Sequence, residues 1–233
     1  MSEGRNLVLL SAGLDSAVNF LIARERGGVG MAVTVDYGQR AAEREIEKSR
    51  AFCDLHGVRH MVLEAPWLGE LSRDALTTPD TRLPEVEPGQ LTDTTRMEDT
   101  MRAVWVPNRN GLLVNIGASV AEALGLAEVV MGLNAEEGVT FPDNGPGFVR
   151  EANRALAYST LSRIRLRSYS IQWDKMGIMR EAIARELDFH CIWSCYNGGE
   201  LMCGSCESCA RLLAAAERLQ ATSRLKGLFE NGP

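Results

Sequence analysis

Two stretches of the chain hold residue types whose spacing suits chemistry. The first is Ser11-Ala12-Gly13-Leu14-Asp15-Ser16. Small residues let backbone N–H groups approach phosphate oxygens closely, and a helix starting behind them adds the positive end of its dipole. The hydroxyls of Ser11 and Ser16 can donate to the same oxygens. Asp15 is the odd member, because a carboxylate repels phosphate. It makes sense as a holder of Mg²⁺ or as a helix cap. A plain strand-to-helix turn capped by Asp15 is the competing reading. No Gly-Lys-Ser/Thr is present, so this is not a Walker loop.

The second stretch is Cys203-x₂-Cys206-x₂-Cys209 with Cys195 upstream, four of the six cysteines within fifteen residues. Two residues between cysteines let both sulfurs turn toward one ion, and Gly204 eases the turn. Four thiolates at ~2.3 Å satisfy tetrahedral Zn²⁺, and a closed four-sulfur site keeps no open position for catalysis. An iron–sulfur site is the alternative, but there the fourth cysteine typically lies downstream, and none follows Cys209. Unligated thiols are the third possibility. Cys53 falls in a helical stretch and reads as core. Cys191 is close enough to the cluster to be considered.

These residues need elements to position them. Residues 5–11 read as a buried strand, and a helix follows from about Asp15 to Arg26. Residues 31–35 form a second buried strand ending at Asp36-Tyr37-Gly38, followed by an amphipathic helix over 41–56 and a third strand over 58–63. Strands alternating with helices imply a parallel, doubly wound sheet, in which ligands bind beyond the carboxyl ends of the strands. Residues 66–104, broken by Pro66, Pro79, Pro84 and Pro88, read as an excursion or flap over the site. A helix over 110–124, a strand over 127–132 and a Gly/Pro loop over 134–147 follow. Helices are expected over 148–158, 174–187 and 209–221, with Asp174 as a cap.

With 233 residues, 45% hydrophobic and 24% charged, the chain fits one sizeable α/β domain with a small appendage. The division expected is 1–190 for the nucleotide-binding domain and 191–233 for the cysteine cluster and last helix. A net charge of −6 argues against direct nucleic-acid binding. No apolar run approaches the ~20 residues that span a bilayer, and residues 1–10 show no signal peptide. The expectation is a cytoplasmic protein with no membrane contact, whose cysteines are not disulfides.

Ser-Gly-Gly-x-Asp-Ser after a first strand is the signature of the PP-loop ATP pyrophosphatases, and Ser11–Ser16 resembles it with Ala12 in place of the first Gly. An alanine there lacks glycine's free access to the left-handed backbone. The likeness extends over nearly the full length to the 7-cyano-7-deazaguanine synthase (QueC) family. Its pieces occur in order: Asp36-Tyr37-Gly38-Gln39-Arg40, Val106-Pro107-Asn108-Arg109-Asn110, Phe141-Pro142-Asp143, Lys175, and Ser194-Cys195-Tyr196-Asn197-Gly198 with the cysteines behind them.

The resemblance implies an adenine nucleotide alpha hydrolase-like fold with a zinc-binding C-terminal helical region. It implies ATP-dependent adenylation of 7-carboxy-7-deazaguanine, then attack by ammonia to give the amide and the nitrile. ATP, Mg²⁺ and Zn²⁺ are the implied cofactors, and a homodimer the implied assembly. Ser11, Ala12, Gly13, Leu14, Asp15 and Ser16 would hold the phosphates, with Asp15 on Mg²⁺. Arg40, Arg109 and Lys175 are candidates for phosphate or leaving-group stabilisation. Val35 and Tyr37 would border the adenine. The loop from Asn134 to Gly147 would form the deazaguanine pocket, with Phe141 and Asp143 in it. Cys195, Cys203, Cys206 and Cys209 would hold zinc.

The departures concentrate on the substrate side: Ala41 for His, Asn108 for Gly, and Asn144 and Gly145 for Cys and Arg. They suit a relative that joins the deazaguanine carboxyl to an amine of a partner protein in antiphage defence, and that acceptor stays open beside ammonia. A zinc-containing nucleic-acid or protein adaptor without catalysis is the reading from another class.

Overall fold

A computed structural model of the chain describes residues 4–85 and 94–230. Five parallel strands stand in the order β3-β2-β1-β4-β5. They are β1 (Asn6–Leu9), β2 (Val29–Asp36), β3 (His60–Glu64), β4 (Glu128–Val130) and β5 (Arg165–Arg167). Alternate residues of β1 serve opposite faces. Leu7 and Leu9 enter one apolar cluster, while Val8 and the following Leu10 enter the other. Both faces of the strand are therefore covered, which explains its uninterrupted apolar run.

Helices α1 (Leu14–Gly27), α7 (Lys175–Ala184) and α8 (Glu207–Arg218) supply one cluster, and α5 (Arg109–Ala123) packs on the other face. Between these lie α2 (Ala42–His56), α3 (Pro66–Leu71), α4 (Thr94–Ala103) and α6 (Pro146–Ser159). β1 has β2 on one side and β4 on the other, so the chain order reverses around it. That reversal opens a crevice at the carboxyl ends of the strands.

The doubly wound parallel α/β class is as expected. Three details differ. β5 was unexpected, because a three-residue strand with two exposed arginines flanking buried Leu166 carries almost no apolar signal. Residues 66–85 contain α3, and Leu68, Ala75, Leu76 and Leu83 sit in the core, so this part of the expected flap is packed structure. At its far end the same stretch holds α4, Thr94–Ala103, while residues 86–93 with Pro88 lie outside the described residues. The boundary expected at 190 does not interrupt the core either: Cys195, Met202, Cys206, Cys209 and Leu212 share a cluster with Phe20 and Ile178. Among the described residues no helix is long and apolar enough to cross a membrane.

Candidate active site

The turn between β1 and α1 is built by its own side chains. Ser16 Oγ donates to the Gly13 carbonyl at 3.0 Å and accepts from the Ser11 N–H at 3.3 Å. The two serine hydroxyls stand 3.4 Å apart. Ala12 adopts φ 56° and is fully buried, so an L-residue occupies the left-handed region and its methyl packs beneath the loop. Its carbonyl accepts the Trp193 N–H at 2.9 Å, which ties the loop to the chain leading into the cysteines. On the β4 side, Gly132 lies so close that a Cβ there would stand 2.6 Å from Ser16 N. Only glycine lets β4 end against this turn.

Asp15 does not cap α1; Gly13 holds the N-cap position. Its carboxylate receives Lys175 Nζ on both oxygens, at 2.9 and 3.0 Å, and Asn134 Nδ2 at 2.6 Å. Lys175 also reaches Glu137 at 3.3 Å. Burial opposes the lysine's charge, but Asp15 and Glu137 hold its pKa above the ordinary value. Burial pushes the Asp15 carboxyl up while Lys175 pulls it down, and the bidentate contact favours the charged pair. Lys175 opens α7, whose cap is Asp174, as expected; that carboxylate accepts from Gly177 N at 2.7 Å.

A second layer of charge holds Lys175 from behind. Glu136 accepts the Lys175 backbone N–H at 3.0 Å and is paired with Arg211. Arg211, buried on α8, also donates twice to Glu207. A continuous polar chain thus runs from the β1–α1 turn through Lys175 and Glu136 to the helix that begins at the cysteines. Sequence reasoning missed Glu136, Glu137, Glu207 and Arg211. The one available signal was the i, i+4 Glu207–Arg211 spacing, which looks the same on a solvated helix.

The cleft over these groups has a volume of about 260 Å³, near the lower end of the ~300–1,000 Å³ typical of small-ligand pockets. Ser11, Gly13, Leu14, Asp15 and Ser16 line it, as do Val35, Tyr37, Arg109, Phe141 and Lys175. Arg109 approaches the Tyr37 hydroxyl at 3.4 Å. Burial opposes its charge, and Tyr37 and Asp143 raise its pKa. Asn108, before it, sits at φ 53°. Asparagine tolerates that left-handed conformation better than most residues, which accounts for its standing where the synthase pattern has glycine.

Three expected contacts are corrected. Arg40 is not in the cleft: its guanidinium donates to the carbonyls of Thr78, Pro79 and Thr81 and pins that segment. The turn at Gly38, φ 86°, leads the chain toward residues 76–81, where Arg40 N also bonds the Leu76 carbonyl. Asn134 is fully buried beneath the lining, holding Asp15 and accepting the Glu137 N–H. Asp143 also lies outside the lining; the 3₁₀ turn Pro142–Asn144 puts buried Asn144 on the cleft instead. Burial raises the Asp143 carboxyl and Arg109 opposes this.

The Sγ atoms of Cys195, Cys203, Cys206 and Cys209 all lie within 4.8 Å of one another. Tetrahedral ligands at ~2.3 Å from one ion stand ~3.8 Å apart, so small adjustments close the set around a metal. Backbone N–H groups of Asn197, Cys203 and Cys206 point at these sulfurs at 3.3–3.4 Å, as suits thiolates. The set fits a metal ion. Cys191 is not part of it, and Cys53 is a core residue.

A family model described as queuosine biosynthesis protein QueC matches residues 5–220. The 7-cyano-7-deazaguanine synthase of Desulforudis audaxviator is 49% identical over 208 residues, covering 89% of this chain and 94% of its own length. That of Desulforamulus reducens is 44% identical over 214 residues, covering 92% of this chain and 94% of its own length. The synthase of Methanocaldococcus jannaschii is 37% identical over 213 residues, covering 88% and 91%.

Proposed function

The chain belongs to the QueC family of queuosine biosynthesis proteins, and from that premise we propose that it uses ATP to adenylate the carboxylate of 7-carboxy-7-deazaguanine and then passes the acyl group to ammonia. The observation that carries this reading is Lys175, a part-buried cation set between Asp15 and Glu137 beside the loop proposed to hold phosphate. A carboxylate is a poor electrophile. Transfer of AMP to one of its oxygens makes that oxygen a leaving group, and pyrophosphate departs. The loop N–H groups and Lys175 neutralise charge that grows on the phosphates, in a site fixed before the substrate arrives. Arg109, beside the Tyr37 hydroxyl in the lining, would orient the bound substrate. Attack by ammonia gives the amide. A second adenylation, on the amide oxygen, allows loss of that oxygen with AMP and leaves the nitrile.

Mg²⁺ would offset the phosphate charges. Both oxygens of Asp15 are already bonded to Lys175 and Asn134, so this carboxylate reaches such an ion through water or after Lys175 moves to a phosphate. Mg²⁺ keeps several waters in most nucleotide sites. Zn²⁺ on Cys195, Cys203, Cys206 and Cys209 has a structural role, because the closed sulfur set leaves no position for substrate.

A second acceptor, the amine of a partner protein, is favoured by one observation: Asn144 lines the cleft where the synthase pattern has cysteine. One assay separates the two. Protein, ATP, Mg²⁺, 7-carboxy-7-deazaguanine and ammonium are incubated, and products are followed by mass. AMP, pyrophosphate and abundant nitrile are expected. AMP without nitrile defeats the ammonia reading, and ADP with phosphate defeats adenylation itself.

A further inference from the structure

Attack on the acyl adenylate needs neutral ammonia, yet at neutral pH the nitrogen arrives mostly as ammonium. A group in the cleft that takes a proton from it would make the nucleophile where it is used. None of the three histidines, His56, His60 and His190, lines the cleft. Its two tyrosines, Tyr37 and Tyr196, are driven by burial above their ordinary pKa and stay protonated. Cys195 belongs to the metal set. Four carboxylates remain: Asp15, Glu45, Glu137 and Glu207. Lys175 occupies Asp15 and Glu137, and Arg211 occupies Glu207.

Glu45 differs from the other three. It stands in the first turn of α2, and its hydrogen bond is to a neutral group: Gln39 Nε2 donates to Oε2 at 2.9 Å. Gln39 is itself fixed, since it accepts the Tyr37 N–H at 2.9 Å and donates to the Val35 carbonyl at 3.2 Å. The carboxylate is therefore aimed by the end of β2, while Oε1 has no protein partner among the described residues. On this geometry, and resting on the proposed adenylation, we propose that Glu45 is the general base that deprotonates ammonium for attack on the acyl adenylate. Burial supports the role by raising its carboxyl to about 7, against the pull of Gln39 and Arg109 and with the push of Asp36. A base with a pKa near the working pH serves best.

The step balances. Acyl adenylate and ammonium give amide, AMP and two protons. Glu45 takes the first proton, and the freed nitrogen lone pair forms the C–N bond. The C–O bond to AMP then breaks with its electrons leaving on the phosphate. The surplus nitrogen proton goes to water.

The test compares two nucleophiles in one variant. Hydroxylamine is already unprotonated at neutral pH and needs no base. Glu45→Gln should slow amide formation from ammonium about 100-fold or more, the scale of general-base catalysis, and hydroxamate formation by less than about 10-fold. Equal slowing of both, or slowing of neither, overturns the proposal. Pyrophosphate exchange driven by 7-carboxy-7-deazaguanine is measured alongside in the unaltered protein. Its absence there sinks the adenylation reading rather than the role of Glu45. If the variant does not fold, the unaltered protein still decides. Proton removal by Glu45 predicts an ammonium-dependent rate that levels off above about pH 8, whereas dependence on free ammonia alone climbs about tenfold per pH unit. That climb overturns the proposal.

Discussion

The turn between β1 and α1, proposed to hold phosphate, and the cysteine unit both contribute to the cleft wall, yet different forces hold them. The loop is fixed by the protein's own bonds: Ser16 to Gly13, Trp193 to Ala12, and Lys175 and Asn134 to Asp15. The cysteine unit has four sulfurs crowded within 4.8 Å and little regular structure between Cys191 and the start of α8. The set fits an ion, and a bound ion would order it. Arg211, on the helix that begins at Cys206, is paired with Glu136, which accepts the Lys175 N–H, so a chain of contacts joins the two regions. One region is held by its own hydrogen bonds, and the other is crowded with sulfurs that only a metal would satisfy together.

The largest effect should come from the first region. Lys175→Ala removes the cation from between two carboxylates and leaves Asp15 and Glu137 facing the phosphates. Loss of one preorganised electrostatic partner typically costs ~10²–10³ in turnover, and the repulsion left behind adds to that. AMP formation in the presence of 7-carboxy-7-deazaguanine is the measure. A variant retaining more than about a tenth of the activity would place the phosphate chemistry elsewhere.

Next in size is the metal. Purified protein should contain about one zinc per chain by metal analysis. Cys206→Ala should lower the melting temperature and expose the C-terminal region to protease before the phosphate loop is lost. Cleavage beginning in residues 191–218 would show that the two regions separate; simultaneous loss of both would show that the Arg211 link makes them one cooperative unit. Iron with visible charge-transfer bands would replace zinc by a cluster.

The two regions also differ in how much of them the sequence reveals. The turn between β1 and α1 is legible because its pattern is local: of six consecutive residues, Ser11, Gly13, Leu14, Asp15 and Ser16 line the cleft. The four cysteines are legible because their spacing is local too. What holds the two together is not. Glu136, Glu207 and Arg211 are ordinary charged residues until the fold buries Glu207 and Arg211 against each other. Arg40 misleads in the opposite way, standing beside a motif while its side chain serves a neighbouring loop. Asn134 and Asp143 fall in a loop that reaches the cleft, but Asn134 is buried beneath the lining and the 3₁₀ turn Pro142–Asn144 brings Asn144 rather than Asp143 to it.

A smaller effect concerns pH. Burial raises the Glu45 carboxyl from 4.5 to about 7. The folded state thus keeps a proton that the unfolded chain releases. This favours folding at low pH, and the contribution is lost as pH rises from about 4.5 through about 7. Urea midpoints for the unaltered protein and Glu45→Gln should therefore diverge across that window, with the variant relatively more stable at the upper end. A constant difference would mean the carboxylate is better solvated than its position in the cleft wall implies.

The smallest effect is expected at Ala12, where the PP-loop signature has glycine. Its φ of 56° looks like a strain that Ala12→Gly should relieve. The left-handed region costs an L-residue roughly 1–2 kcal/mol. Against that relief stand two losses. The side chain is fully buried, and removing one buried methyl forfeits about 0.8 kcal/mol. Glycine also gives the unfolded chain more freedom, worth roughly 0.5–1 kcal/mol. The terms nearly cancel, so the change in unfolding free energy should stay within about 1 kcal/mol of zero. Asn108 is the control for this argument. It sits at nearly the same dihedral but is exposed, so Asn108→Gly loses no buried methyl and Asn108→Ala gains none. Asn108→Ala should destabilise by about 1 kcal/mol, since alanine tolerates that backbone less well than asparagine. If Ala12→Gly instead destabilised by more than about 2 kcal/mol, packing of that methyl under the loop would dominate its backbone strain. Alanine would then be a structural element of this phosphate loop rather than a tolerated departure from glycine.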